Sequence, residues 1–158
     1  MMNASVPASE IIPGVWISGW SESQDDAWLR SHGIVAVFNC TKDLPFSPVI
    51  PHPYRIPVDD SRQPVDIRAM EEWAPEIAYK IMQEYRAGNP LLIHCAAGMQ
   101  RSTTACAFFL MVLTGEPLVQ VMSLIKTQRP IAFSPQPNFA VSLREFENLL
   151  RQNQFIRQ

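Results

Sequence analysis

Cysteine is scarce in this 158-residue chain, which contains only Cys40, Cys95 and Cys106. Three cysteines are too few, and odd in number, for a disulfide framework, so they suit a reducing compartment in which a free thiol survives. No group of cysteines and histidines has the spacing of a metal site. We therefore expect a protein without a metal or other cofactor, located in the cytoplasm or the nucleus.

Excess charge and long apolar runs are missing as well. The formal net charge is −2, which argues against nucleic acid or an anionic membrane as the main partner. The longest apolar stretch, Ala105 to Leu113, is far too short to span a bilayer. Met1 to Ser9 contains neither a charged n-region nor a long apolar segment, so a signal peptide is not expected.

The most informative segment is His94-Cys95-Ala96-Ala97-Gly98-Met99-Gln100-Arg101-Ser102. It lies between an apolar run typical of a strand and one typical of a helix. The residues between the cysteine and the arginine can form a loop whose backbone N–H groups point at one spot, and a glycine there is free to adopt positive φ. The segment predicts a phosphate-binding loop made of Ala96, Ala97, Gly98, Met99, Gln100 and Arg101.

The residue types at this spacing indicate phosphoryl transfer. The loop amides and the positive N-terminus of the following helix favour an anion, so they should keep Cys95 as a nucleophilic thiolate. The planar fork of Arg101 can bind two phosphate oxygens at once. A nucleophile that faces an anion site predicts a phosphocysteine intermediate.

The remaining periodicity predicts an α/β fold in which a central, mainly parallel sheet of about five strands is flanked by helices. Strands are expected within Ile11 to Gly19 (two short pieces) and at Ile34 to Phe38, Tyr54 to Val58 and Leu91 to Ile93. Helices are expected at Ser23 to Ser31, Ile67 to Tyr85, Ser102 to Leu113, Leu118 to Thr127 and Asn138 to Gln152.

Two residues affect the predicted helices, and the predicted elements together set the bounds of the domain. Ser23 can cap the first helix. Pro75 should start the regular part of the long helix near Glu71 or kink it. The domain is expected at residues 11–152, after a loose leader (1–10) and before a C-terminal tail (153–158).

The order of these segments resembles the dual-specificity branch of the cysteine-dependent protein tyrosine phosphatases, over about residues 10–152. Beyond the loop, the resemblance rests on I-I-P-G-V-W-I-S-G, G-I-V-A-V-F-N-C-T-K-D-L-P, I-P-V-D-D and R-P-I-A-F-S-P-Q-P-N-F. It implies the compact fold of that branch and hydrolysis of phosphotyrosine and phosphoserine or phosphothreonine in protein substrates.

The resemblance also assigns roles to individual residues. It makes Cys95 the nucleophile and Arg101 the phosphate binder and transition-state clamp. It makes Ser102 the hydroxyl that assists the leaving thiolate, and His94 a residue that orients the loop and tunes the cysteine. Within I-P-V-D-D it places the general acid at Asp60, next to Asp59.

Several alternatives stay open. The substrate could be an RNA 5′-phosphate or a phosphoinositide, although the loop lacks the lysines that phosphoinositide-directed relatives tend to carry. The chain could instead be a non-catalytic phosphate-binding scaffold, although Cys95, Arg101 and Asp60 are all present. A rhodanese-like sulfurtransferase would not need Ser102 or I-P-V-D-D.

Other residues near the loop allow two interpretations each. Cys40 could form a protective disulfide with Cys95 or simply pack in the core, and Cys106 is expected in the core. Arg129 and Lys126 either add positive field near the site or face solvent. Gln100 is bulkier than the small residue common beside the arginine in the resembled family, which could alter access to the loop.

Overall fold

A five-stranded sheet lies between two hydrophobic clusters in the computed structural model, which describes residues 6–156. The strands are β1 (Ser9–Ile12), β2 (Val15–Ser18), β3 (Ala36–Asn39), β4 (His52–Arg55) and β5 (Leu91–His94). The helices are α1 (Trp20–Ser23), α2 (Asp26–Ser31), α3 (Pro64–Arg86), α4 (Arg101–Thr114), α5 (Leu118–Gln128) and α6 (Ala140–Gln152). The predicted α/β class is confirmed.

The strand order is β1-β2-β5-β3-β4, and only the β1–β2 pair is antiparallel. Successive side chains of a strand point to opposite faces. In β5, Leu91 and Ile93 therefore enter the large cluster, which contains residues of α3 to α6, while Leu92 enters the small cluster beneath α2. Both faces are buried, which explains why this strand is continuously apolar.

The edges of the sheet differ from the prediction. β1 begins at Ser9, so Ser9 and Glu10 belong to the sheet and not to a loose leader; residues 1–5 of that leader lie outside the described part of the chain. β4 starts at His52 and includes Pro53, whereas a strand was expected from Tyr54 to Val58. Because β4 is an edge strand, a proline that donates no hydrogen bond is tolerated there.

Two helix starts also needed correction. The cap of α2 is Asp25, whose carboxylate accepts from the N–H of Trp28 at 3.0 Å, because Ser23 donates its hydroxyl proton to Trp20 O at 2.6 Å and ends α1. α3 begins at Pro64, well before Glu71, and continues past Pro75. Its buried residues on both sides of the proline pack in the main cluster, and such packing supplies most helical stability.

Helix α4 begins at Arg101, within the predicted phosphate-binding motif, and is almost wholly buried. The C-terminal part of the chain is also packed, since Ile156 in the predicted tail is 2% exposed; residues 157–158 lie outside the described range.

Within residues 6–156, none of the helices combines the length and the apolar character needed to cross a membrane.

Candidate active site

The nucleophile candidate follows the central strand directly. His94, the last residue of β5, is in register with Ser18 of β2 and Asn39 of β3. Parallel strands place their carboxyl ends at one edge of the sheet, where ligands bind in such folds. Cys95 is the next residue and is 2% exposed. The loop that follows it returns to the N-terminus of α4, so a phosphate in the loop would also face that helix end.

The carbonyl oxygens of residues 96–100 all accept hydrogen bonds from outside the loop. The donors are Trp20 N to Ala96 O (3.0 Å), Arg129 Nη2 to Ala97 O (3.4 Å), Arg129 Nε to Gly98 O (2.7 Å), Phe133 N to Met99 O (2.7 Å) and Thr104 N to Gln100 O (3.0 Å). In a trans peptide the N–H points opposite to the C=O. Anchoring the carbonyls outward therefore leaves the N–H groups of residues 97–101 on the other side, as a phosphate cradle requires.

Arg129 anchors the phosphate loop and does not face solvent. The whole residue is 0% exposed. Besides the two loop carbonyls, it donates to Pro7 O at 2.8 Å and to Ser9 Oγ at 3.0 Å. One buried guanidinium thus ties the loop to the first strand of the sheet. Its role could not be read from the sequence, because its acceptors lie far away along the chain.

Gly98 has the positive φ that the loop spacing predicts, at 69°. A Cβ atom at this position would lie 2.5 Å from Arg129 Nη2 and 2.6 Å from the carbonyl carbon of Ser18. The glycine is therefore required both for its backbone conformation and for the close approach of Arg129.

The environment of Cys95 favours a thiolate. Burial by itself would raise the pKa of this thiol. The hydroxyl of Ser102, 3.2 Å from Sγ, opposes that effect, as do the backbone N–H groups of Ser102 and Gly98 and the charge of Arg101. The net result is a pKa below the ordinary thiol value. A lowered pKa is typical of reactive cysteines at helix N-termini.

His94 is a neutral, buried histidine. Burial lowers its pKa to about 4, and the charges of Arg55 and Arg101 act in the same direction, against a hydrogen bond to the Cys95 carbonyl that raises it. That contact joins Nδ1 to Cys95 O at 3.4 Å. Among residues 6–156, Nε2 has no hydrogen-bond partner. The ring is therefore neutral at pH 7, and its Nδ1–H can donate to the Cys95 carbonyl oxygen.

Arg101 connects the phosphate loop to the segment that contains the two aspartates. Its Nη1 donates to Val58 O at 3.1 Å, and its buried Nε has no acceptor among the described residues. Asp59 forms a salt bridge with Lys42 (2.9 Å), in which both side chains are about half exposed, at 53% and 48%. Asp60 instead accepts a 2.9 Å hydrogen bond from Asn138 Nδ2. The two neighbouring carboxylates therefore have different partners.

The remaining open residues also have defined places. Cys40 and Cys106 are fully buried in the main cluster, and burial raises the pKa of both thiols; this burial favours core packing for each. Lys126 is exposed and donates to Ala132 O at 3.0 Å. Gln100 is only 4% exposed, and its side chain makes hydrogen bonds to Ser134, Gln136 and Asn138.

These features coincide with a known family. Residues 15–149 match the family model of the dual specificity phosphatase catalytic domain. The chain belongs to this family.

Individual relatives agree with this assignment. The chain is 33% identical over 140 residues to human dual specificity protein phosphatase 2, covering 87% of this chain and 43% of that protein. It is 32% identical over 144 residues to tyrosine-protein phosphatase vhp-1 of Caenorhabditis elegans, covering 89% and 21%. The chain thus spans less than half the length of these two relatives. It covers 84% of dual specificity protein phosphatase 1B of Arabidopsis thaliana, at 29% identity over 92% of this chain.

Solved structures have the same fold. A crystal structure of a mouse putative dual specificity phosphatase complexed with zinc tungstate superimposes with a TM-score of 0.81 at 22% identity, covering 100% of this chain and 98% of that one. A crystal structure of DUSP15 gives a TM-score of 0.76 at 27% identity, covering 93% and 94%. These matches confirm the compact phosphatase fold that the resemblance implies.

Proposed function

We propose that this chain is a cysteine-dependent protein phosphatase that hydrolyses phosphotyrosine and phosphoserine or phosphothreonine through a phosphocysteine intermediate. The observation that carries the proposal is the environment of Cys95: a thiol of lowered pKa beside Ser102, in a loop whose carbonyls all accept from outside. Family membership supports the same reaction.

In the first step the Cys95 thiolate attacks phosphorus in line with the leaving oxygen. An S–P bond forms as the P–O bond breaks, while the loop amides and Arg101 stabilise the charge on the three equatorial oxygens. The Nε of Arg101, which has no acceptor among the described residues, suits this role, since a phosphate oxygen is a strong acceptor for a guanidinium. Asp60 donates a proton to the departing alkoxide or phenoxide.

In the second step water hydrolyses the phosphocysteine. The Asp60 carboxylate takes a proton from the water, whose oxygen attacks phosphorus as the S–P bond breaks. The sulfur departs as a thiolate, which accepts a hydrogen bond from Ser102. Phosphate leaves and the free nucleophile is restored. Since the nucleophile must remain reduced, the proposal includes an intracellular, reducing location and a phosphorylated protein as substrate.

The first test is hydrolysis of para-nitrophenyl phosphate from about pH 5 to 8 in the presence of a chelator. Cys95→Ser should abolish turnover, because a hydroxyl is far less ionised than this thiol. Cys106→Ser is the matched control, since a buried serine in a helix can donate to the preceding turn and Cys106 takes no part in the reaction. Peptides that carry phosphotyrosine or phosphothreonine then test dual specificity. Turnover that survives Cys95→Ser, or a folded native chain that hydrolyses none of these substrates, would refute the proposal.

A further inference from the structure

Gln100 lies inside the phosphate loop, yet its side chain is directed at a different part of the molecule. Its Nε2 donates to Ser134 O and to Gln136 O, each at 3.0 Å. Its Oε1 accepts from the backbone N–H of Asn138 at 2.9 Å. One amide therefore makes three hydrogen bonds to the segment that precedes α6. A small residue at position 100, such as serine, could not span this distance.

The segment held by Gln100 carries the side chain that contacts the proposed general acid. Asn138 Nδ2 donates to Asp60 Oδ1 at 2.9 Å, across 78 positions of the sequence. The Asn138 backbone N–H donates to Gln100, and this hydrogen bond holds the main chain at residue 138 in place. The side chain of Asn138 therefore starts from a fixed Cα position. Asp60 is exposed, so this contact restrains a carboxylate that has few other neighbours.

The backbone of Gln100 is itself held by hydrogen bonds from α4. The carbonyl of Gln100 accepts from Thr104 N at 3.0 Å and from Thr103 Oγ1 at 3.0 Å, so the residue is part of the α4 N-terminus. Phe133 N reinforces the connection by donating to Met99 O at 2.7 Å. The loop that would hold the phosphate thus also holds the 134–138 segment in place.

We propose that Gln100 is a positioning residue that places Asp60, through Asn138, at the leaving group of a phosphate bound in the loop. This inference rests on the proposed function and on Asp60 as the general acid. Its physical basis is that the general acid must lie within hydrogen-bond distance of the leaving oxygen to donate its proton. Displacing Asp60 therefore lowers the rate of the first step and leaves phosphate binding unchanged.

The test compares two substrates of nearly equal shape, methylumbelliferyl phosphate and its difluoro derivative. The fluorinated phenol is the more acidic leaving group and needs little protonation, whereas the parent phenol depends on the acid. Gln100→Met keeps a similar volume but removes all three hydrogen bonds. We expect kcat/KM on the parent substrate, which reports only the first step and its leaving group, to fall about tenfold, the equivalent of one lost hydrogen bond. The fluorinated substrate should lose about twofold or less.

Asn138→Ala should give the same substrate-dependent loss, and it removes a partly exposed side chain, so it carries the test if Gln100→Met does not fold. The double variant should be no slower on the parent substrate than the slower single variant, since both residues act on one contact. Gln120→Met, on the exposed side of α5, makes the same chemical change away from the site and should leave both rates unaltered.

Each other outcome has a separate meaning. Equal losses on both substrates would overturn the inference and assign Gln100 to the shape of the loop. Multiplicative losses in the double variant would exclude Asn138 as the link, and an unchanged rate in Gln100→Met would refute positioning altogether. A native chain that hydrolyses neither substrate would instead contradict the proposed function.

Discussion

The phosphate loop and the segment from Ile56 to Ser61 carry the two halves of the proposed chemistry, but they are built differently. The loop is anchored at every carbonyl from residue 96 to 100 and merges with a buried helix. The acid segment is exposed at Asp59 and Asp60 and is held by contacts from Lys42, Arg101 and Asn138, which lie 17, 43 and 78 positions away in sequence.

This difference separates two requirements of the reaction. A nucleophile facing a phosphate needs a fixed set of donors, and preorganised donors cost no reorganisation when charge develops. A general acid must reach leaving groups of different size, so an exposed carboxylate such as that of Asp60 is compatible with this role. The contrast predicts that substitution of the exposed Asp60 changes the rate but not the stability, whereas substitutions around the loop change both.

The largest effect is expected at Asp60. Asp60→Asn removes the proton donor and keeps the shape, so kcat/KM on methylumbelliferyl phosphate, which reports the first step, should fall about 10²–10⁴-fold. The difluoro derivative should be much less affected, and the thermal midpoint Tm should stay near the native value. Steady-state kinetics on both substrates and a thermal melt measure these quantities.

Asp59→Asn is the matched control for this prediction, because it changes the neighbouring carboxylate. It breaks only the salt bridge to Lys42, in which both side chains are about half exposed, and such pairs contribute about 0.2–1 kcal/mol. If Asp59→Asn showed the large substrate-dependent loss and Asp60→Asn did not, the general acid would be Asp59.

Arg129 tests the other half of the comparison. Arg129→Met leaves Ala97 O, Gly98 O, Pro7 O and Ser9 Oγ without this donor, and each unsatisfied buried group costs about 1–3 kcal/mol. We expect a loss of at least about 3 kcal/mol in the free energy of unfolding, which lowers Tm by about 6–12 °C in a domain of this size.

Inorganic phosphate links that stability loss to the function of the loop. A ligand that binds the native state raises Tm, so the increase caused by phosphate should be smaller in Arg129→Met than in the native chain. Arg144→Met, on the exposed side of α6, should change the free energy of unfolding by less than about 0.5 kcal/mol. A native-like Tm and phosphate response in Arg129→Met would show that the loop does not depend on this anchor.

The same contrast explains what the sequence could predict. The loop motif, the continuous apolar run of β5 and the positive φ of Gly98 depend on residues close together in the chain, so local patterns were sufficient. Arg129 gave no comparable signal, since its acceptors come from Pro7, Ser9 and the loop. The inward direction of the Gln100 side chain likewise depends on residues 134–138, which only the fold brings near.

The smallest of these effects concerns the pKa of Cys95 and its hydrogen bond to Ser102. Ser102→Ala removes the strongest of the contacts that oppose burial, so the pKa of the thiol should rise. A hydrogen bond to a charged group contributes about 1.5–3 kcal/mol, so the loss of this contact should shift the titration of the thiol to higher pH. The pH dependence of Cys95 alkylation by iodoacetamide measures this shift, and the acidic limb of kcat/KM should move with it.

Stability should follow the same titration. In the native chain the pKa of Cys95 is lower folded than unfolded, so its contribution to stability is fully present above the ordinary value of 9.0 and is lost as pH falls through the folded pKa. Ser102→Ala should reduce this contribution on the alkaline side. Thr104→Val is the matched control, because it removes another buried hydroxyl of α4, one without a hydrogen-bond partner among the described residues. An unchanged alkylation profile in Ser102→Ala, or an equal shift in Thr104→Val, would mean that the loop amides and Arg101 set the thiol pKa without the serine.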